Sequence, residues 1–269
     1  MITPQGLGTS TASSEFATVN RLAKLAGIVD VHGKAILDIG CNDAAYTVEL
    51  AQSARVAIGI DIESERLRDA SRRITTREVP AGLSLMDAER LGFRDSSFDV
   101  VFVNEVLEHI PDQDSALDEI HRVLGEEGFV VLFAPNRLYI VETHGAHIGK
   151  RTVGRFIPLI HWLPRFVARH FMNARSYTPR EVRQLLAHHG FAIVHQSCLF
   201  PPLDGLRNRL SHCHLTSMVD IYRRMMPTIG RIPLLRSMGL SVFAVAIKSN
   251  QPTPERGNVL HPTVPSRSR

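Results

Sequence analysis

Short apolar runs alternate with amphipathic stretches along the first half of the chain. The runs are four to seven residues long, as buried strands usually are, and they occupy residues 35–39, 55–61, 83–86, 98–103 and 129–134. Between them, residues 63–74 and 115–124 space their apolar side chains three and four positions apart, which is typical of helices. Strands and helices that alternate in this way predict an α/β fold with a mostly parallel sheet.

The second half of the chain extends this pattern. Residues 177–190 predict a helix, because Thr178 is a favourable N-cap and Pro179 suits the first turn. Residues 191–198 and 240–248 predict a sixth and a seventh strand. We therefore expect a Rossmann-like, doubly wound sheet of seven mostly parallel strands, with helices on both faces.

Other segments lie outside this regular pattern. Residues 14–29 predict an N-terminal helix that either closes over a ligand or simply packs on the core. Two later segments, 150–175 and 205–239, mix basic with large apolar residues, and we expect them to form a mainly helical cap. The expected organisation is a disordered lead (1–13), a core (14–149, 176–204 and 240–248), the two cap segments, and a disordered tail (249–269).

The cap segments carry a strong excess of positive over negative charge. Together they hold twelve Lys and Arg residues but only one acidic residue, Asp220, although the whole chain has a net charge of only +4. Basic and apolar residues in this mixture suit an anionic membrane surface, or an apolar substrate with an anionic group. The alternative is that the Arg residues only neutralise an acidic core. Nucleic acid is disfavoured as a partner, because the segments lack the aromatic and glycine content of single-strand binders.

The cysteines and the apolar content bear on location. Cys41, Cys198 and Cys213 are odd in number and lack the spacing of a disulfide framework, which favours a reducing compartment. The sequence shows no secretory signal and no apolar run long enough to span a bilayer. We expect a cytoplasmic protein, with peripheral contact at the inner face of a membrane as a further option.

Ligand chemistry is expected at the turn that follows the first strand. Residues 41–44 turn sharply after Gly40, and a helix begins at Ala45. Such a turn leaves backbone N–H groups pointing beyond the strand, where they can bind a polar ligand. Gly40 permits close approach or a positive φ, and Asn42 is the non-glycine residue type that best tolerates the left-handed region.

The next strand ends in a carboxylate, Asp61, about twenty residues after Gly40. In nucleotide-binding α/β folds, a carboxylate at this position accepts hydrogen bonds from the ribose hydroxyls. The two strand ends therefore predict a nucleotide-like ligand at the carboxyl edge of the sheet.

These residues resemble the class I S-adenosylmethionine-dependent methyltransferases, of the methyltransferase type 11 kind. The first motif of that family reads Asp-x-Gly-Cys-Gly-x-Gly after an apolar strand. Asp38, Gly40 and Cys41 match it, and the next two glycines are replaced by Asn42 and Ala44.

A longer resemblance covers residues 91–112, LGFRDSSFDVVFVNEVLEHIPD, which follow the family's fourth-strand motif almost residue by residue. The resemblance implies S-adenosylmethionine as the cofactor and methyl transfer as the activity, with a small, apolar or lipid-like acceptor that is methylated at oxygen. It implies an adenine contact from Asp87 and places the cofactor against Asp38, Gly40, Cys41, Asn42, Asp61, Ile62, Asp87, Ala88, Asn104 and Glu105.

Histidines supply candidates for a general base. His109 lies in the family's Leu-Glu-His signature and is the first candidate if the acceptor must lose a proton. His144 and His147 are the next. The pair at 144 and 147 and the His-Cys-His run at 212–214 lack further ligands at known spacing, so we expect no metal site.

Two alternative functions stay open on the sequence. A nicotinamide-dependent dehydrogenase would need glycine at the second and third positions of the first turn, where Asn42 and Ala45 stand, and residues 91–112 are foreign to it. A non-catalytic S-adenosylmethionine-binding module is the other alternative, and Ala44 is the residue that favours it.

Overall fold

The computed structural model describes residues 12–139, 174–200 and 237–249, four short segments between 141 and 158, and residue 224. Its main sheet contains every run that the sequence predicts as a strand. The strands are β1 (Ala35–Ile39), β2 (Val56–Asp61), β3 (Ala81–Leu85), β4 (Phe98–Asn104), β5 (Leu124–Pro135), β6 (Phe191–Leu199) and β7 (Ser241–Lys248).

The strand order across the sheet is β6-β7-β5-β4-β1-β2-β3. Strands β1 to β5 are parallel to one another, and β7 runs antiparallel to both β5 and β6. From β1 the chain moves outward through β2 and β3, and it then returns to the opposite side of β1 as β4. A crevice forms at such a reversal, at the carboxyl ends of the strands. The predicted doubly wound, mostly parallel sheet is confirmed.

Helices cover both faces of this sheet. They are α1 (Ala12–Ala26), α2 (Ala45–Ala51), α3 (Ser64–Arg77), α4 (Gln113–Val123) and α5 (Pro179–His188), with a 3₁₀ turn at Leu107–His109. On one face α4 and α5 bury Leu117, Ile120 and Leu186, and on the other α1 packs Leu25 near Phe102 of β4. The predicted cap of α5 is present, because the Thr178 hydroxyl accepts the Glu181 N–H at 3.2 Å.

The N-terminal helix has a different buried face from the one its apolar residues suggest. Val19 is 59% exposed, whereas Leu25 is 1% exposed and Thr18 is buried beside it on the same face. Arg21 lies on this inner face too and is half-buried. Because the inner face carries a guanidinium, α1 does more than close the core.

The first cap segment contains two short strands, Arg151–Val153 and Ile157–Pro158. Each pairs antiparallel with a strand that precedes the segment, Ala146–Ile148 for the first and Val141–Glu142 for the second. The prediction of helix is therefore wrong for Arg151–Val153 and Ile157–Pro158, whose β-branched side chains favour extended backbone. Apart from Ala174 and Arg175, the rest of this segment lies outside the described residues, as do most of the lead and tail and the second cap segment except Arg224 and residues 237–239.

Among the residues that the structure describes, no helix has the length and apolar content needed to cross a bilayer.

Candidate functional site

The turn after β1 has the strained backbone that its sequence indicates. Gly40, Asn42 and Ala44 have φ values of +67°, +51° and +59°. All three therefore lie in the left-handed region, which costs a residue with a Cβ roughly 1–2 kcal/mol. The turn stores this strain at the carboxyl edge of the sheet, where α2 begins directly after Ala44.

Glycine is required at position 40 by the contact with Val106 as well as by the positive φ. A Cβ at Gly40 would lie 2.8 Å from Cγ1 of Val106 and closer still to Cγ2. Val106 follows β4, so the first turn and the loop after β4 are in direct contact. No other residue type fits here without moving that loop.

The methyl group of Ala44 does not face the crevice. Ala44 is fully buried and packs with Val48 of α2 and Ala70 of α3. Ala44 was the residue that favoured a non-catalytic binding module, and its buried position gives that alternative no support. Cys41 is also buried, with its side chain toward Gly59, and burial raises the pKa of its thiol.

Asp38 lies beneath the turn and not at its surface. It is 2% exposed and accepts a hydrogen bond of 2.6 Å from the hydroxyl of Thr47 on α2. Burial raises the pKa of Asp38 to about 7, the Thr47 hydrogen bond opposes this rise, and the charge of Asp61 adds to it. Contact with Thr47 makes Asp38 a support for the turn and the start of α2.

The pKa of Asp38 makes the stability of the protein depend on pH. The folded-state pKa is above the unfolded value, so this stabilising contribution is complete below about pH 4 and is lost as pH rises through about 7. We expect the unfolding free energy of the wild type to fall by up to a few kcal/mol across this window relative to Asp38→Asn. Urea unfolding of both proteins between these pH values measures the difference, and parallel curves would contradict it.

Asp61 connects the ends of β1 and β2. It is 7% exposed, its Oδ2 accepts the N–H of Asn42 at 3.0 Å, and its Oδ1 accepts the N–H of Glu63 at 2.9 Å. A carboxylate has about four lone-pair sites, so each oxygen keeps capacity for a second donor. The side chain therefore orders the first turn and still presents acceptors to the crevice.

Two exposed apolar side chains lie beside Asp61. Ile62 is 67% exposed and Leu85 is 58% exposed, and the sheet register places Leu85 next to Asp61. Asp87 follows as an exposed carboxylate, and Ala88 is buried. Large apolar residues in the open beside carboxylates suit a flat, partly polar ring such as a nucleobase.

A buried cation lies at the end of β4. The Arg21 guanidinium donates to Oδ1 of Asn104, to Oε1 of Glu105 at 2.9 Å and to the hydroxyl of Ser241 at 3.2 Å. Its Cζ is 5.1 Å from the ring centroid of Phe133. Burial disfavours the charge, but Glu105 and Tyr46 outweigh it and raise the pKa of Arg21. One guanidinium thus connects α1 to β4, β5 and β7.

Two glutamates meet beside this cation. Glu108 is 3% exposed, and its burial, followed by the charge of Glu105, raises its pKa well above the ordinary value. Burial and the neighbouring Glu105 charge thus disfavour the ionised form of Glu108.

His109 is more exposed than the glutamates. About a third of its side chain is exposed, and its Nε2 lies 3.9 Å from Oε1 of Glu108. His144 lies outside the described residues, and His147 lies in the short strand Ala146–Ile148. The described residues contain no cluster of three His, Cys, Asp or Glu side chains able to hold a metal ion.

The structure brings together the predicted residues at the ends of β1, β2 and β4, and it adds five that the sequence reasoning missed. These are Arg21, Thr47, Leu85, Phe133 and Ser241. Only Arg21 left a usable signal in the sequence, as a basic residue on the same face of the N-terminal helix as Leu22 and Leu25.

Comparison with known proteins assigns this site to a family. Residues 37–132 match the family model described as a methyltransferase domain. This match spans β1 to β5 and includes the first turn, Asp61 and the stretch after β4. Residues 37–132 therefore form a methyltransferase domain. A domain of this kind disfavours the nicotinamide-dependent alternative.

Curated relatives of the methyltransferase domain are moderately similar. The chain is 31% identical over 130 residues to a ubiquinone biosynthesis O-methyltransferase of Cupriavidus pinatubonensis, which covers 47% of this chain and 52% of the relative. It is 33% identical over 94 residues to a demethylmenaquinone methyltransferase of Lactiplantibacillus plantarum, covering 33% of this chain and 40% of the relative. The chain thus spans about half or less of the length of these relatives.

Solved structures share the fold over a longer part of the chain. An S-adenosylmethionine-dependent methyltransferase from Mesorhizobium loti superposes with a TM-score of 0.56 at 17% identity, covering 84% of this chain and 96% of the other. One from Methanosarcina mazei gives 0.55 at 19% identity, with coverage of 84% and 97%. At these identities the likeness concerns the fold alone.

Proposed function

We propose that this protein transfers the methyl group of S-adenosylmethionine to an oxygen atom of a small, apolar or lipid-like acceptor. The observation that carries the proposal is the grouping of Gly40, Asp61 and Asn104 at the point where the strand order reverses. Ligands bind in doubly wound sheets at this point. The exposed apolar patch and the buried cation lie on either side of the grouping.

The residues present fit the cofactor. The oxygens of Asp61 retain capacity for the ribose hydroxyls, and Ile62 and Leu85 offer an apolar surface to the adenine, with Asp87 near its amino group. Backbone of the first turn, Gly40 to Asn42, would border the cofactor where a Cβ at Gly40 has no room. Arg21, held beside Asn104 and Glu105, would pair with the carboxylate of the cofactor's amino-acid end. Asp38 and Cys41 are buried beneath the first turn and would act by supporting it.

The bound cofactor supplies an electrophilic methyl group on a sulfonium. Displacement at such a carbon needs alignment and exclusion of water more than acid–base help, so positioning accounts for most of the acceleration. We propose His109 as the group that takes the acceptor's proton, because it follows β4 and its imidazole is partly exposed. Burial raises the pKa of the neighbouring Glu108, which weakens the support that its carboxyl could give to an imidazolium.

The apolar acceptor is inferred from the cap segments and from the relatives. Two relatives are named for ubiquinone biosynthesis and for demethylmenaquinone, and a third, from Amycolatopsis mediterranei, for 27-O-demethylrifamycin SV. The described ends of both cap segments lie beside the carboxyl ends of β4 and β5. Arg175 donates to the carbonyl of Ile110 at 2.8 Å, and the amide of Asn136 donates to the carbonyls of Ser237 and Gly239 at 2.7 and 2.6 Å. The basic, apolar segments thus join the core near the proposed site.

Methyl transfer is tested with the full chain and isotopically labelled S-adenosylmethionine. Membrane lipid and quinone extracts serve as the acceptor pool, and mass spectrometry identifies products that gain one labelled methyl group. We expect label in an O-methylated apolar compound. Calorimetric binding of NAD but not of S-adenosylmethionine would overturn the proposal.

Peripheral membrane contact is a separate expectation. Vesicle flotation should recover the protein with phosphatidylglycerol-containing vesicles and not with neutral phosphatidylcholine, because twelve basic residues lie in the cap segments. Replacing Arg165 and Arg169 by Gln should reduce recovery severalfold, whereas Arg68→Gln and Arg72→Gln on α3 serve as the charge-matched control. Equal flotation of the two double variants would remove the case for membrane contact by these segments.

A further inference from the structure

The Arg21 cation already holds a carboxylate of the protein itself at the carboxyl edge of the sheet. The carboxylate is that of Glu105, whose Oε1 lies 2.9 Å from Nη2 of Arg21. Both side chains are largely buried, at 16% exposure for Arg21 and 19% for Glu105. A partly buried pair of this kind is stronger than one at the surface, where solvent screens the charges. A ligand carboxylate that pairs with Arg21 competes with Glu105 for the same positive charge.

The guanidinium is held in place without Glu105. Asn104 Oδ1 and the Ser241 hydroxyl accept from it, and the Phe133 ring lies beneath it. These contacts come from β4, β5 and β7, so Arg21 stays at the strand edge when its carboxylate partner changes. It is a preformed anion site whose occupant can be exchanged.

The Glu105 carboxylate also accepts a hydrogen bond from a donor other than Arg21. Ser241 donates to the same Oε1 at 2.5 Å. The backbone of Glu105 has φ of +54°, and its N–H donates to the carbonyl of Phe133 at 2.9 Å. Glu105 therefore stays satisfied after losing Arg21, which keeps the cost of release small.

We propose that Glu105 is a built-in competitor for the carboxylate of the cofactor, so that binding exchanges one ion pair at Arg21 for another. The proposal rests on the proposed function, in which Arg21 receives the amino-acid end of S-adenosylmethionine. Its consequence is that the resident carboxylate weakens the affinity for ligands that carry this end. Ligands that lack it leave the Arg21–Glu105 pair intact.

Two ligands and matched variants test the exchange. S-adenosylhomocysteine carries the amino-acid end, and 5′-methylthioadenosine lacks it. We expect Glu105→Gln to bind S-adenosylhomocysteine roughly tenfold more tightly than the wild type and to bind methylthioadenosine equally well in calorimetry. Glu49→Gln removes the same charge from α2, where Glu49 is hydrogen-bonded to Gln52, and should change neither affinity.

Ser241→Ala gives a second variant with the opposite sign. It removes a donor that Glu105 keeps after release and also one acceptor of Arg21, so S-adenosylhomocysteine should bind severalfold more weakly, whereas methylthioadenosine should bind equally well. Weaker or unchanged binding of S-adenosylhomocysteine by a folded Glu105→Gln protein would overturn the exchange. A wild type that binds neither ligand would instead overturn the proposed function, so the two failures are distinguishable.

Discussion

Replacement of Asp61 by alanine is expected to weaken S-adenosylmethionine binding by at least about tenfold. The carboxylate would lose its bonds to the ribose hydroxyls, and each charge-assisted bond contributes on the order of 1.5–3 kcal/mol. The same change leaves the N–H groups of Asn42 and Glu63 without their acceptor, which loosens the first turn. Calorimetric titration with the cofactor measures the loss.

A second variant separates these two causes. Asp61→Asn keeps one oxygen acceptor for the backbone but removes the charge, so we expect an intermediate loss of affinity. Asp99→Asn is the matched control, because Asp99 accepts a backbone N–H, from Ala35, at the opposite end of the sheet. Cofactor affinity that is unchanged in Asp61→Ala would exclude the ribose role.

Gly40→Ala is expected to abolish detectable cofactor binding. The added methyl would meet both Cγ atoms of Val106, one of them at 2.8 Å, and the residue would also be held at a φ of +67°. The loop after β4 must move to make room, and with it the Asn104 and Glu105 side chains. We expect the loss of unfolding free energy to exceed the roughly 1–2 kcal/mol of the φ penalty alone.

Gly33 provides the control for this substitution. It has almost the same φ, +68°, but a Cβ there would have no atom within 4 Å. Gly33→Ala should therefore lower the unfolding free energy only by the φ penalty and should leave the cofactor affinity unchanged. Adding Val106→Ala to Gly40→Ala should restore part of the binding, since it removes both Cγ atoms. Similar stability losses for the two glycine variants would contradict a steric role for Val106.

The site was predictable where a residue's role depends on its neighbours in the chain. Gly40 and Asn42 lie in a tight turn between a strand and a helix, so their positive φ values follow from local geometry. Asp61 was predictable because parallel strands bring their carboxyl ends to one edge. The apolar periods likewise determine the strands, since each buried strand needs a continuous apolar run.

The local sequence pattern did not predict the contacts of residues whose partners lie far along the chain. The apolar residues of the N-terminal helix pointed to Val19 as buried, but the docked helix exposes it and turns Arg21 inward. Thr47 is an ordinary helix residue until the fold places it on Asp38. Ser241, in the last strand, meets Glu105 across 136 positions of sequence.

The sequence by itself determined the seven strands, the doubly wound class of the sheet, and the carboxylate and the turn that border the crevice. Hydrophobic period and turn chemistry are local properties, and they suffice for these features. Only the tertiary structure decided which charges meet: Arg21 with Glu105, and Glu105 with Glu108. The reason is physical, because a buried charge is tolerated only beside partners that the packed fold supplies, and no sequence spacing records that contact.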